Sequence, residues 1–126
     1  MKRRQTFQGQ SESSSQQAVI RWWAFISRAR KLPENALMAF PLQAARSPRN
    51  GARMKAEGAR KGSPDMFLAV GRSNAHGLFI EMKTAVGRVS PEQLEMLTGL
   101  AARGYITVVA RSSAEAISAI EIYLAI

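Results

Sequence analysis

Three side chains stand out for the chemistry they could do together. Asp65 closes the tetrapeptide Gly62-Ser63-Pro64-Asp65, while Glu81 and Lys83 lie in the apolar run Gly77-Leu78-Phe79-Ile80-Glu81-Met82-Lys83. Asp65 is the only aspartate in the chain, and it stands at the mouth of Met66-Phe67-Leu68-Ala69-Val70, which reads as a short buried strand. In the second run Leu78, Ile80 and Met82 point one way and Phe79, Glu81 and Lys83 the other. Glu81 and Lys83 therefore share a face, roughly 6 to 7 Å apart along the strand. The segment between the two strands, Gly71 to Gly77, has the Gly, Ser and Asn content of a hairpin turn. A turn centred near Asn74 brings Asp65 level with Glu81 or with Lys83, and either register leaves the two acids close together. Two carboxylates about 5 Å apart repel by ~3 kcal/mol at an effective dielectric near 20. A divalent cation would hold both ionised, and hard oxygen donors favour Mg²⁺ or Mn²⁺ over zinc. Lys83 is a compact charge suited to touching a reacting phosphate or water. Each fragment taken alone has an ordinary reading: Pro-Asp is common turn chemistry, and Glu-x-Lys on a strand is often a solvated ion pair.

The elements that must position these groups follow from periodicity and capping signals. Ser11 to Leu32 carries an apolar stripe at helical spacing through Val19, Trp22, Trp23, Ile26 and Ala29, and Pro33 ends it. The two tryptophans fit core packing better than base stacking in such a stripe. Glu12 and Gln16 fall on the same side as Val19, Trp23 and Ile26, so this acid lies at the end of the buried stripe. Asn35 to Leu42 reads as a first strand, with Pro41 confining that end to an edge or bulge. Within the following basic segment, Met54 to Ala59 suits one or two helical turns. Ser90-Pro91-Glu92-Gln93 combines a capping serine, a proline at the first helical position and glutamine at the third, starting a helix through Leu94, Leu97, Leu100 and Ala101 to Gly104. Gln93 can serve that capping box or point elsewhere. Tyr105 to Ala110 reads as a fully buried strand. Ser112 and Glu115 form another capping box, opening a helix that turns Ala116, Ile117, Ile120, Tyr123 and Leu124 inward. The order of helix, three strands, helix, strand and helix predicts an α/β fold with a mixed central sheet flanked by helices.

Composition narrows the classes of function. A chain of 126 residues, 46% of them hydrophobic, makes one domain with a real core. Residues 11–126 are expected to form it, with 1–10 as a flexible basic tail. There is no apolar run long enough to span a membrane and no apolar core of a signal peptide, so the default expectation is a cytoplasmic protein. The absence of cysteine removes disulfides and zinc-thiolate sites, and the single histidine, His76, leaves no His-pair site. His76 itself reads as a surface loop residue. A formal net charge of +9 favours an anionic partner, nucleic acid above all. Arg46, Arg49, Arg53, Lys55, Arg60 and Lys61 crowd a segment holding only Glu57 as counterweight, and it runs directly into Gly62-Ser63-Pro64-Asp65.

The series GSPD, IEMK and SPEQ resembles that of the VRR-NUC nucleases, a branch of the PD-(D/E)xK restriction-endonuclease-like superfamily. The likeness runs from about Glu12 to the end of the sequence. It implies a restriction-endonuclease-like core in a standalone nuclease domain. By this resemblance Asp65 and Glu81 are metal ligands, the main-chain carbonyl of Met82 is another, and Lys83 is the catalytic lysine. The family's first helix adds an acid to the metal site, for which Glu12, the only acid before Glu34, is the sole candidate. The glutamine of the third motif, Gln93, would face the active site. The implied activity is Mg²⁺- or Mn²⁺-dependent hydrolysis of DNA phosphodiesters. The standalone members suggest a homodimer that cuts branched DNA such as Holliday junctions. A nickase or flap-type nuclease shares the chemistry, and the rival of a different class is a non-catalytic basic nucleic-acid-binding protein.

Overall fold

The computed structural model describes residues 11–40 and 47–126. The expected tail 1–10 lies outside them, as do Pro41, Leu42 and Arg46. Helix α1 (Glu12–Ala29) begins where Ser11 accepts a hydrogen bond from the Ser14 amide, and the amides of Arg30 and Lys31 close its far end. Its inward stripe holds Val19 and Trp23, both almost fully buried, and the Trp23 indole donates to the Glu34 carbonyl at 2.9 Å. That bond gives the one polar atom of a buried aromatic its partner and confirms the core reading of the tryptophan.

A 3₁₀ turn (Glu34–Ala36) precedes strand β1 (Leu37–Ala39), so the first strand is shorter than the sequence suggested and begins two residues later. Helix α2 (Pro48–Ala56) corrects the expected turns at Met54 to Ala59. It starts at Ser47-Pro48, the same serine cap and first-position proline seen at Ser90-Pro91, with Ser47 accepting from the Asn50 amide. Gly58 at φ 103° ends it, where the Ala59 amide reaches back to Met54.

Strands β2 (Met66–Leu68) and β3 (Leu78–Met82) form the expected antiparallel hairpin, in the register Met66 with Ile80. Helix α3 (Pro91–Ala102), strand β4 (Ile106–Ala110) and helix α4 (Ser113–Ala125) complete the chain. The sheet order is β1-β2-β3-β4, with β4 parallel to β3 and the other pairs antiparallel. Leu37, Met66, Leu68, Leu78, Ile80 and Met82 pack with Val19 and Trp23 of α1 and Ile120 and Leu124 of α4 in one core. The parallel β3 to β4 crossover through α3 is the βαβ geometry that puts a helix on a sheet face. Two expectations about burial change. Strand β4 is half-buried from Ile106 to Val109, because it is an edge strand of the described sheet. Leu94 is 61% exposed, while Leu97 and Leu100 carry the inward face of α3. His76 is exposed, as expected.

Candidate active site

The structure decides a choice that sequence left open. The β2–β3 pairing ends with Met66 opposite Ile80, and Asp65, the residue before it, also sends its amide to Ile80 O, with its carboxyl beside that of Glu81. The Asp65 backbone is bonded on both sides, its amide to Ile80 O at 3.1 Å and its carbonyl to the Phe40 amide at 2.9 Å. A carboxylate whose backbone is bonded on both sides has little freedom to wander. Its Oδ2 accepts from the Met82 amide at 2.7 Å, so the side chain takes a place in the ladder just before β2 begins. The Met82 amide faces that side of β3, and its carbonyl faces the same way by the alternation of the strand. The Met82 side chain is fully buried in the opposite layer.

Glu81 is only 3% exposed. Its Oε1 accepts from Gln93 Nε2 at 2.9 Å and lies 3.7 Å from Lys83 Nζ. Its Oε2 is buried without a hydrogen-bond partner. Gln93 performs both of its alternative roles at once: its Oε1 accepts from the Ser90 amide at 2.9 Å, closing the capping box, while its Nε2 holds Glu81. One amide has both a donor and an acceptor end, so capping and the site do not compete for it.

The electrostatics follow from burial. Glu81 is pushed up to about 8, first by its removal from water and next by the neighbouring Asp65 charge, against the opposing pull of Lys83. Asp65 is raised as well by burial, although the Met82 amide, Glu81 and Lys83 offset part of the rise. The pair thus holds a proton near neutrality, as like charges in close contact must unless a cation joins them.

Glu12, in the first turn of α1, is near enough to contribute to raising Glu81. Among the described residues, however, no three His, Cys, Asp or Glu side chains come together as a metal-holding cluster. The structure thus gathers Asp65, Glu81, Lys83, Gln93 and the Met82 backbone, and leaves Glu12 at longer range. The donor set still suits Mg²⁺, which is commonly bound through one or two carboxylates plus water and substrate oxygens. The buried, unpartnered Oε2 of Glu81 is the atom that most needs a cation.

The basic residues divide. Arg49 and Arg53 stand one turn apart on α2, a helix without a buried residue, and Met54, Lys55, Ala59, Arg60, Lys61 and Gly62 line a cleft of about 450 Å³ beneath it. Lys61 is not free of acids as its sequence neighbourhood suggested: it pairs with Glu92 at 3.3 Å. Arg53 approaches Glu57 at 4.0 Å, an exposed pair of little energetic weight. Gly62 has a stricter role than turn flexibility. At φ 88° its Cα crosses the start of α3 so closely that a Cβ would lie 2.6 Å from the Glu92 carbonyl group. The segment leading into Asp65 is thereby seated on the helix that supplies Gln93. Sequence reasoning missed this contact and that of Arg111, which bonds to Thr84 and Gly87 across 27 and 24 residues, because neither leaves a local signal.

Comparison with known proteins agrees with this geometry. No curated protein matches the chain. A solved structure of a VRR_NUC domain protein superposes with a TM-score of 0.78 at 29% identity, over 94% of this chain and 92% of that one. The sequence model of the VRR-NUC domain matches residues 5–114, most of the chain. The chain belongs to the VRR-NUC domain family, and its mixed four-stranded sheet with flanking helices is the fold of that family.

Proposed function

We propose that the protein is a divalent-metal-dependent DNA endonuclease that cuts branched DNA as a homodimer. The observation that carries the metal is the pairing of Asp65 and Glu81, two largely dehydrated carboxylates, with Glu81 Oε2 left buried and unpartnered. Asp65, Glu81 and the Met82 carbonyl would hold Mg²⁺ or Mn²⁺, with Glu12 acting through water. The bound ion would lower the pKa of a water molecule and neutralise charge on the phosphate. The chain's own residues then do the positioning. Gln93 fixes Glu81 through Oε1, which leaves Oε2 for the ion. Lys83, with its side chain only 11% exposed, presents its ammonium beside Glu81 to the reacting phosphate or attacking water.

Net charge and the outward arginines of α2 support DNA as substrate, held by phosphate contacts and recognised by shape. Duplex cleavage at paired positions requires two such sites, and exposed Ile122 on α4 with Ile126 just past its end offers apolar surface to a second copy. The test is incubation with single-stranded, duplex, flap and four-way junction DNA, with Mg²⁺ or Mn²⁺ against EDTA, alongside sedimentation. The expected result is metal-dependent paired nicking of junctions by a dimer. Binding without metal-dependent cleavage of any substrate would refute the nuclease reading. A monomer making unpaired nicks would refute the junction-cutting dimer alone.

A further inference from the structure

We propose that Arg111 is a positioning residue for Lys83, acting through the turn that follows it. The inference rests on the nuclease reading only for the catalytic consequence, since the geometry stands by itself. Immediately after Lys83 the chain turns back, with the Gly87 amide donating to the Thr84 carbonyl at 3.2 Å. The guanidinium of Arg111 grips both ends of this turn: Nη1 donates to Thr84 O at 3.0 Å and to Gly87 O at 2.6 Å. Arg111 is itself held at the end of β4, where its amide donates to Glu115 Oε2 at 2.7 Å. One residue earlier, the Ala110 carbonyl accepts from the Lys83 amide at 2.9 Å. The backbone of Lys83 and the clamp on its turn therefore share one anchorage.

The turn lies alongside the lysine stem. A Cβ built on Gly87 would come 3.5 Å from Lys83 Cδ and 3.0 Å from Thr84 Oγ1, so the Gly87 backbone stands next to the side chain that must reach Glu81. A lysine carries four rotatable carbons and about 2 kcal/mol of rotamer entropy, so its ammonium stays in one place only where the stem is packed. Val86 at the tip of the turn is 90% exposed, so the tip gains no support from burial. What reinforces the turn beyond its own Gly87–Thr84 backbone bond is the pair of hydrogen bonds donated by a cation, the stronger class of such bonds. Without them, the turn beside the Lys83 stem would loosen while the paired strands β2 and β3 beside Asp65 and Glu81 kept their ladder.

The test compares Arg111→Met, which keeps length and loses the donors, with Arg111→Lys, which keeps one cationic donor group. In protein labelled at lysine, the Lys83 side-chain NMR signal, assigned with Lys83→Ala, should show greater mobility in Arg111→Met and an intermediate value in Arg111→Lys. An unchanged Lys83 signal in a folded Arg111→Met protein overturns the proposal. In single-turnover cleavage at saturating DNA, Arg111→Met should be slowed about 10- to 100-fold with DNA affinity unaltered. On the Lys83→Ala background the same substitution should have no further effect. A loss confined to DNA affinity, or an equal loss on both backgrounds, would make Arg111 a phosphate contact or a general structural residue. Should Lys83→Ala keep full cleavage, the catalytic reading of Lys83 fails, while the mobility measurement still decides whether Arg111 positions it. If Arg111→Met does not fold, Arg111→Lys supplies the same comparisons, with addition of free guanidinium to Arg111→Ala as the rescue.

Discussion

Substituting Glu81 by glutamine should stabilise the metal-free protein while destroying its activity. The folded state raises the Glu81 pKa from 4.5 to about 8, so folding favours the protonated form. For a carboxyl shifted upward the sign is clear: no penalty exists below pH 4.5, the penalty grows as the pH rises, and it levels off above about 8. Each pH unit in that window costs about 1.4 kcal/mol, so by pH 7 the buried acid withdraws about 3 kcal/mol of folding stability. Coupling to Asp65 means that the whole pair binds this proton, which leaves the total in place while blurring its assignment. In Glu81→Gln the amide oxygen still accepts from Gln93, and the new NH₂ group faces the Asp65 carboxylate. The variant should thus exceed the parent by about 2–3 kcal/mol at pH 7 to 8, roughly 5–10 °C in Tm, and match it near pH 4.5. Urea unfolding in EDTA, followed through the buried Trp23 fluorescence at several pH values, measures this. Mg²⁺ should then reverse the order, since it stabilises only the protein that binds it. A Glu81→Gln protein no more stable than the parent at pH 8, or more stable by the same amount at pH 4.5, would refute the claim that Glu81 is held against its charge.

The same argument makes metal binding a proton-releasing event: at pH 7, Mg²⁺ titrations in buffers of different ionisation enthalpy should reveal about one proton released per site, and apparent affinity should rise with pH toward 8. Pure independence of buffer would contradict the shared proton. Lys83→Ala should lower single-turnover cleavage by about 10²-fold or more with DNA affinity nearly intact, because one charge among 18 basic residues adds little to binding. A loss seen wholly in affinity would reduce Lys83 to a phosphate contact. Replacing Arg49, Arg53, Lys55 and Arg60 by alanine should flatten the salt dependence of DNA binding by about 0.9 in log–log slope per lost contact, and an unaltered slope would place the DNA on another surface. Gly62→Ala should destabilise by about 2 kcal/mol or more, from the left-handed backbone and the clash with the start of α3, as read by urea unfolding. A neutral result would show that the crossing can open without cost.

Much of this arrangement was legible because it is local. Alternation across 78–83, the Gly, Ser and Asn content of 71–77 and the Ser90-Pro91 cap each depend on residues within a turn or a strand of one another. They correctly placed Asp65 at the mouth of one of two paired strands, Glu81 on the other, and the start of α3 at Ser90-Pro91. Periodicity cannot fix register, since Asp65 level with Glu81 or with Lys83 satisfies the same pattern; the Asp65 bonds to the Ile80 carbonyl and the Met82 amide decide it. The burial of β4 was misjudged for a related reason: an apolar run does not say whether a neighbour strand exists on each side. The start of α2 was legible at Ser47-Pro48, but the basic charge of the segment obscured a capping signal that worked at Ser90-Pro91.

The two contacts that sequence could not show, those of Gly62 and Arg111, share a physical character. Both act on neighbours brought close by the fold: Gly62 on the N-terminal turn of α3, and Arg111 on the turn after Lys83. They seat the two ends of the site from opposite sides, Gly62 beneath the strand that carries Asp65 and Arg111 beside the lysine that follows Glu81. Between them lies a pair of carboxylates whose proximity weakens the metal-free fold. A site that costs stability when empty must be held by contacts outside it, or it would relax by moving its acids apart. The doubly bonded Asp65 backbone, the two-ended amide of Gln93, the tight crossing at Gly62 and the Arg111 clamp are those contacts. Gln93 does more than hold Glu81 in place, because its Nε2–H also stabilises the ionised form of that carboxylate. A Gln93→Ala protein accordingly should show a larger rise in stability on acidification than the parent, measured in EDTA between pH 8 and 5. A rise no larger than the parent's would mean that the Gln93 amide does nothing for the Glu81 charge.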